Sequence, residues 1–273
     1  MLGKLLKYEM RATARVFLPT YLLLLVFALL SRFSMAMIDF DVVQTNDFLT
    51  VILMSVIAVY VFTILGAFIV TFIVLIQRFY KNLTGDEGYL MFTLPVRTWE
   101  LVASKALSAL LWQIATTAAV VFSLFVLLFR PSYLPDIMNG LRIFWAEFTS
   151  EFGTGINIAA FMVEFLFAAL IGAVEGMLMI YAAISIGHTI QNHRILGAVG
   201  AYIGLSVAVQ MVSSAVMIPF GLINVNRIEF YVTQNPFAIL HGAMLAGLLL
   251  ATVCGVIFFF ITTYIMGHQL NLE

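Results

Sequence analysis

The sequence has very little charge. Only 10% of its 273 residues are charged, whereas 63% are hydrophobic; a soluble domain carries about 25% charge. A soluble domain needs polar cover for its surface, and a disordered chain needs few apolar residues, so both classes are excluded. The net charge of −1 gives no basic field for nucleic acid. With a mean hydropathy of +1.08, the composition predicts an integral membrane protein.

The sequence also lacks the motifs of a self-contained enzyme. Cys254 is its single cysteine, so no intrachain disulfide forms. It contains no phosphate-binding Walker loop, no H-E-x-x-H or C-x-x-C metal motif, and no G-x-S-x-G nucleophile elbow. The histidines do not cluster, and His188 and His193 are predicted to lie in a solvated turn. We therefore expect no catalytic residue, metal site or cofactor in this chain.

Long apolar runs take the place of those motifs. A helix needs about 20 mainly apolar residues to cross the hydrocarbon core, and Pro19 and Pro236 suit the first turns of the first and last runs. The predicted fold is an all-α integral membrane protein, with residues 1–273 forming one transmembrane domain. The six predicted spans are 19–38, 49–76, 100–129, 156–186, 196–220 and 237–266.

The basic residues predict the orientation. With six spans, both termini lie on one side, and that side holds nine of the Lys and Arg residues while the other holds four. Because basic residues concentrate in cytoplasmic loops, both termini are predicted to be cytoplasmic in a multi-pass protein of the cytoplasmic membrane.

Residues 1–18 are predicted to form an interfacial amphipathic helix. A basic stripe faces an apolar stripe, which suits a helix in the cytoplasmic headgroup layer and makes membrane lipid a partner. Glu9 lies among the apolar positions, where it meets a protein partner or snorkels to water. A simple topogenic charge cluster is the alternative interpretation. The basic stripe consists of Lys4, Lys7, Arg11 and Arg15.

The connection 78–98 is the longest on the cytoplasmic side. Thr84 and Glu87 have the spacing of a capping box, which predicts a short helix from near Gly85 that Pro95 ends. Its apolar surface either packs on the membrane or docks on a cytoplasmic partner. The candidate interface residues are Asp86, Glu87, Tyr89, Leu90, Met91 and Phe92.

On the other side, the connection 130–155 has apolar residues at helical spacing. This pattern predicts a second amphipathic helix, on or in the outer leaflet. It serves either as a structural lid or as a gate over an exit path.

Two acids fall inside the fourth span. Glu164 and Glu175 are eleven residues apart and share a helix face. Gly172 and Gly176 form a small-xxx-small pair, which allows close helix approach. A charge at the bilayer centre costs about 2.5–3.5 kcal/mol on insertion scales, so this face is expected to turn away from lipid. Interfacial solvation of Glu164, structural hydrogen bonding and a translocation path remain open as roles.

The chain resembles the permease subunits of ABC-2-type ABC transporters. The resemblance covers its architecture throughout and is most specific in the N-terminal LLKYEMRATAR and in GDEGYLMFTLPVRTWELVASK, between the second and third spans. It implies that residues 1–18 form an elbow helix, and that Asp86–Phe92 form a coupling helix docked on a separate ABC-type ATPase subunit.

The resemblance also implies the rest of the assembly. A second permease completes a homo- or heterodimer, and ATP and Mg²⁺ are held by the ATPase. The function it implies is export of a hydrophobic or amphipathic cargo, such as a peptide, drug or lipid. Two alternatives stay open from the residues: a proton-coupled secondary transporter using Glu164 and Glu175, and a membrane sensor or scaffold that transports nothing.

Overall fold

The computed structural model describes seven stretches of the chain, and in these stretches every regular element is helical. The helices are α1 (Leu2–Asp39), α2 (Asp47–Phe79), α3 (Thr98–Leu128), α4 (Leu134–Phe152), α5 (Ile158–His188), α6 (Arg194–Gln234) and α7 (Pro236–His268). A π-helical turn, Tyr80–Thr84, continues α2. The described residues are 2–39, 47–84, 96–129, 134–152, 158–190, 193–234 and 236–268.

Six of these helices are long and apolar enough to cross a membrane, which confirms the predicted number of spans. The chain is therefore a multi-pass membrane protein. The span-forming segments are Leu2–Met37, Phe48–Leu83, Thr98–Leu128, Ala160–His188, Arg194–Val216 and His241–His268.

The predicted boundary between residues 1–18 and the first span is wrong, because α1 passes through Pro19 without a break. Packing on Trp112 of α3 explains the continuity. The Trp112 ring contacts Phe17 before Pro19 and Tyr21 after it, with centroid distances of 4.3 and 6.3 Å. Proline is tolerated inside membrane helices when neighbouring groups compensate for the missing N–H. Pro236, in contrast, does begin α7, as predicted.

Two other connections are more helical than their polarity suggests. The fifth predicted span, 196–220, corresponds to the apolar segment Arg194–Val216, and the helix α6 continues beyond it to Gln234. Within 130–155, α4 occupies Leu134–Phe152, so a helix is present where one was predicted. The described side chains of residues 135–147 are all exposed.

The chain divides into two compact units. The first unit comprises Met1–Arg78 and Ser108–Ile137. In it α2 runs antiparallel to α1 and α3: Leu24, Ala67 and Val120 form one apolar cluster, and Ala28, Tyr60 and Leu127 form the next. Because the residue numbers rise together in α1 and α3 and fall in α2, the three helices form an up-down-up bundle.

The second unit comprises Phe79–Leu107 and Met138–Glu273. The C-terminal half of α5 is its core, with Tyr181, Ala182 and Ser185 almost fully buried. Both α6 and α7 pack on α5. At the turn between α5 and α6, a methyl group on Gly187 would lie 2.3 Å from the backbone nitrogen of Ala198, so only glycine permits this approach.

Candidate functional site

The two acids inside the membrane-spanning part of α5 both lie against α7. The Glu164 carboxylate oxygen Oε2 is 2.5 Å from His241 Nδ1. Three turns further along α5, Glu175 packs against Gly255, where a methyl group would lie 3.7 Å from the Glu175 Cα. We call these four residues the α5–α7 seam.

Chain topology sets the register of this seam. The contacts 164–241 and 175–255 advance in the same direction along both helices, so α5 and α7 are parallel. That direction is required when one returning helix, α6, separates two spans. Phe161 presents its ring edge-on to His241 at a centroid distance of 5.8 Å and gives the pair an apolar neighbour.

The side chains of Glu164 and His241 are partly buried within the chain. The side chains are 25% and 27% exposed, respectively. In an apolar setting, an ionisable group is stabilised by a hydrogen-bonded partner that shares or neutralises its charge. The bond between the Glu164 carboxyl group and the His241 imidazole therefore gives each group a polar partner across the α5–α7 contact.

Glu175 differs from Glu164 in having no such partner. It is half-buried, and no hydrogen bond or ion pair is formed by its carboxyl group within the part of the chain that the structure describes. Gly255 contributes no side chain opposite it, so the carboxyl group has room. Ionisable groups in membrane helices are costly and mark ion, proton or substrate pathways, which makes Glu175 the most informative residue of the seam.

The small-residue pair Gly172 and Gly176, which permits close helix approach, has no helix packed against it among the described residues. A methyl group at either position would have no neighbour within 4 Å among the described residues. The close helix contacts lie instead at Gly187 and Gly255. A small-residue spacing permits close approach but does not decide which stripe receives a neighbouring helix, because that depends on the crossing point.

The C-terminal end of α5 holds the segment that leads into the connection 78–98. The Phe79 ring stacks on Tyr181 with a centroid distance of 3.9 Å and an interplanar angle of 6°. The next residue, Tyr80, contacts the His188 ring at 5.2 Å. His188 was predicted to be solvated, but it is only 7% exposed, because it completes α5 and packs under the π-helical turn. Neither ring nitrogen has a hydrogen-bond partner in the described ranges.

The other end of the same connection, at the start of α3, lies near the C-terminal end of α7. The Glu100 carboxylate accepts a hydrogen bond from the Arg97 backbone N–H at 3.3 Å and so caps the start of α3. A methyl group on Gly267, near the end of α7, would lie 3.7 Å from the Thr98 hydroxyl oxygen. One stem of the connection therefore contacts the C-terminal end of α5, and the other lies near the C-terminal end of α7.

The predicted coupling residues themselves lie outside the described residues, which end at Thr84 and resume at Val96. This holds for Asp86, Glu87, Tyr89, Leu90, Met91 and Phe92.

The N-terminal part of α1 is described throughout. Its four basic residues, Lys4, Lys7, Arg11 and Arg15, are exposed. Glu9 is only 7% exposed, so it is neither free for an external partner nor snorkelling. Glu9 lies one turn before Thr13 on the same face, and Thr13 is buried beneath Trp112, from whose Nε1 it accepts a hydrogen bond at 2.7 Å.

Sequence reasoning missed His241 and Gly255 as members of the site. One signal was available for His241. Glu164 and His241 both lie near the first residues of their spans, and the two spans run in the same direction, so the two residues lie at similar depth in the membrane. No comparable signal marks Gly255 among the 18 glycines.

Comparisons with known proteins identify no relative of this chain. No protein-family model, curated protein or solved structure matches the chain.

Proposed function

We propose that this chain is the membrane permease subunit of an ATP-driven exporter of the ABC-2 type. In this proposal it moves a hydrophobic or amphipathic cargo (a peptide, drug or lipid) across the cytoplasmic membrane. A separate ABC-type ATPase subunit binds ATP and Mg²⁺, a second permease completes the dimer, and both termini are cytoplasmic. The sequence resemblance motivates the family, and the anchoring of the connection 78–98 supports a coupling role.

The observation that carries the proposal is that both stems of that connection lie at the C-terminal ends of α5 and α7. Tyr80 contacts His188 at the end of α5, and Thr98 lies against Gly267 near the end of α7. A displacement of the connection therefore acts on the two helices that hold Glu164, His241 and Glu175. Such a linkage lets a soluble ATPase bias two packings of a membrane domain that differ by a few kcal/mol.

Within this mechanism, the seam is the part that changes during transport. Sliding or tilting of α5 against α7 alters the Glu164–His241 bond and the space beside Glu175. The chain's own residues then supply an acidic, partly hydrated lining for a polar or cationic part of the cargo. ATP hydrolysis stays in the partner subunit.

The coupling assignment is tested by Tyr89→Ala combined with Phe92→Ala. Because Tyr89 and Phe92 are the two aromatic residues of the proposed coupling segment, we expect the double variant to insert normally but to lose the co-purifying ATPase or its transport-linked activity. A matched control, Phe122→Ala with Phe125→Ala, removes two exposed rings from α3 and is expected to keep both. Unchanged ATPase association and transport in the Tyr89 and Phe92 variant would remove the coupling assignment.

A second candidate function is favoured by the seam itself. A bonded Glu–His pair with an unpartnered Glu175 on the same helix face is an arrangement that proton-coupled transporters use for proton relay. In proteoliposomes with an imposed pH gradient and no ATP, uptake that is abolished by Glu175→Gln would support this candidate. Transport that requires ATP and ignores the gradient would exclude it.

A further inference from the structure

An open groove of about 510 Å³ lies between α1 and α2 in the first unit. Its walls are apolar, and the two hydroxyl groups that line it are already used within their own helices. Thr20 donates to the Val16 carbonyl at 2.9 Å, and Thr63 donates to the Val59 carbonyl at 2.8 Å. The lining residues are Pro19, Thr20, Leu23, Val59, Phe62, Thr63, Gly66, Ala67 and Val70.

Small and cyclic residues open this groove. Gly66 has no side chain, and a methyl group there would meet nothing within 4 Å. Ala67 packs inward with Leu24 and Val120 and closes the floor. The side walls stay outward-facing, since Leu23 is 51% and Phe62 is 72% exposed. In a membrane these walls face lipid chains rather than water.

The groove begins one helical turn beyond a pair of exposed arginines. Arg11, Arg15 and Pro19 follow one another at four-residue spacing, so they lie along one side of α1. Both arginines are exposed, and neither forms an ion pair within the described part of the chain. Lys4 and Lys7 extend the positive charge toward the N-terminus.

The setting of the groove selects its occupant. Its α2 wall runs from Val59 to Val70, which is about 16 Å at 1.5 Å per residue. An acyl chain is the apolar group that a membrane supplies along such a wall. The exposed Arg11 and Arg15 at one end favour a lipid with an anionic headgroup.

We propose that this groove and the adjacent arginines form a binding site for an anionic phospholipid. Its phosphate lies at Arg11 and Arg15, and one acyl chain lies along Pro19, Gly66 and Val59. The site needs only a chain embedded in a membrane that contains anionic lipid, so it is independent of the proposed transport function.

Native mass spectrometry of the full chain in mild detergent tests this site. The protein is titrated with phosphatidylglycerol, and separately with phosphatidylcholine that carries the same acyl chains. Each basic residue near a lipid headgroup contributes about 1 kcal/mol, so Arg11→Gln with Arg15→Gln is expected to weaken phosphatidylglycerol binding about 30-fold. Lys81→Gln with Arg142→Gln removes two exposed charges elsewhere and is expected to change it little.

The acyl-chain half of the site is tested by filling the groove. Gly66→Leu places a side chain in the open space and is expected to abolish the bound lipid, whereas Gly204→Leu, also in open space, is expected to retain it. Equal binding of both lipids, or retention in Gly66→Leu, would overturn the proposal. A loss caused by the arginine variants alone would also overturn it, since that pattern indicates headgroup attraction without a groove.

A measurement on the unmodified chain tests the same site without relying on the folding of the Gly66 variant. Phosphatidylglycerol with a photoactivatable group midway along one acyl chain is expected to label Leu23, Val59, Phe62 or Val70. Labelling spread evenly over the exposed faces of all the helices would contradict a specific site.

Discussion

Glu164 and His241 join α5 to α7 through a hydrogen bond between two ionisable side chains. In water such a pair contributes little, because both groups keep their hydration when separated. In a membrane span, separating the pair leaves a carboxyl group and an imidazole without hydrogen-bond partners. The free-energy cost of that separated state favours the contact between α5 and α7. Double-mutant cycles in membrane proteins still give only about 0.6 kcal/mol for an average interhelical hydrogen bond, with a maximum near 1.7.

We predict that the Glu164–His241 pair has a coupling energy of about 1–2 kcal/mol, at the upper end of that range because the bond is short and joins two ionisable groups. The measurement is a double-mutant cycle of Glu164→Ala and His241→Ala, read out as the free energy of unfolding in detergent. His193→Ala, an exposed histidine, serves as the control single variant. Strictly additive effects of the two seam substitutions would mean that the pair does not couple α5 to α7.

The residue scale also shows where prediction from the sequence stops. The shared face of Glu164 and Glu175 follows from helix periodicity alone, and both acids contact α7. The identity of the partner, His241, depends on the relative height and rotation of two helices, which a single sequence does not encode locally. For the same reason, the sequence does not show whether the stripe of Gly172 and Gly176 receives a neighbouring helix.

At the scale of the helices, hydroxyl groups join α1, α2 and α3 inside the first unit. The Thr116 hydroxyl is 2.7 Å from the Tyr21 hydroxyl and 2.9 Å from the Thr71 hydroxyl. A second link joins Tyr60 to Ser123 at 2.9 Å. Because lipid offers no hydrogen bonds to these groups, each contact favours the assembled bundle over separated helices.

The adjacent threonines of α3 allow a matched test of this network. Thr116→Val keeps the shape of the side chain but removes both interhelical contacts, so we predict a loss of about 1 kcal/mol in the free energy of unfolding. Thr117→Val removes a hydroxyl that bonds only to the Gln113 carbonyl of its own helix, at an exposed position, and is expected to be nearly neutral. Equal effects of the two substitutions would show that the Thr116 contacts contribute nothing specific.

The α5–α6 hairpin gives the second element-scale prediction. A methyl group on Gly187 would lie 2.3 Å from the backbone nitrogen of Ala198, and backbone cannot move aside as a flexible side chain does. Gly187→Ala is therefore expected to destabilise the protein by about 1–3 kcal/mol. Thermal unfolding in detergent measures the effect.

Gly204→Ala provides the control for the hairpin, because its new methyl group meets open space. The substitution is expected to stabilise α6 by up to about 1 kcal/mol through its helix propensity. Tolerance of Gly187→Ala at the level of this control would contradict the close approach of the two helices.

The number of spanning helices was predictable from apolar length, but two of their ends were not. Proline usually marks a helix start in water, yet Pro19 lies inside α1, because Trp112 packs on both sides of it. Likewise, the polar residues after position 220 do not end α6. In both cases the sequence pattern gives the local preference of the backbone. The observed end of the helix also depends on the rest of the fold.

At the scale of the whole molecule, the six apolar helices among the described residues and the asymmetric distribution of basic residues predict one topology. In the proposed topology both termini and the connection 78–98 share one side, which the positive-inside rule predicts to be cytoplasmic. The stems of this connection lie at the ends of α5 and α7, where Tyr80 contacts His188 and Thr98 lies near Gly267. This arrangement underlies the proposal of an ATPase-driven permease.

The most direct test of that proposal is purification of the tagged chain from its native membranes in mild detergent, followed by mass spectrometry of the proteins that accompany it. The account predicts a stoichiometric ABC-type ATPase, together with a second permease if the dimer is a heterodimer. The Tyr89→Ala and Phe92→Ala variant is predicted to lose the ATPase while the membrane chain remains intact. A chain that purifies alone from native membranes, with no ATPase at any detergent concentration tested, would contradict the account.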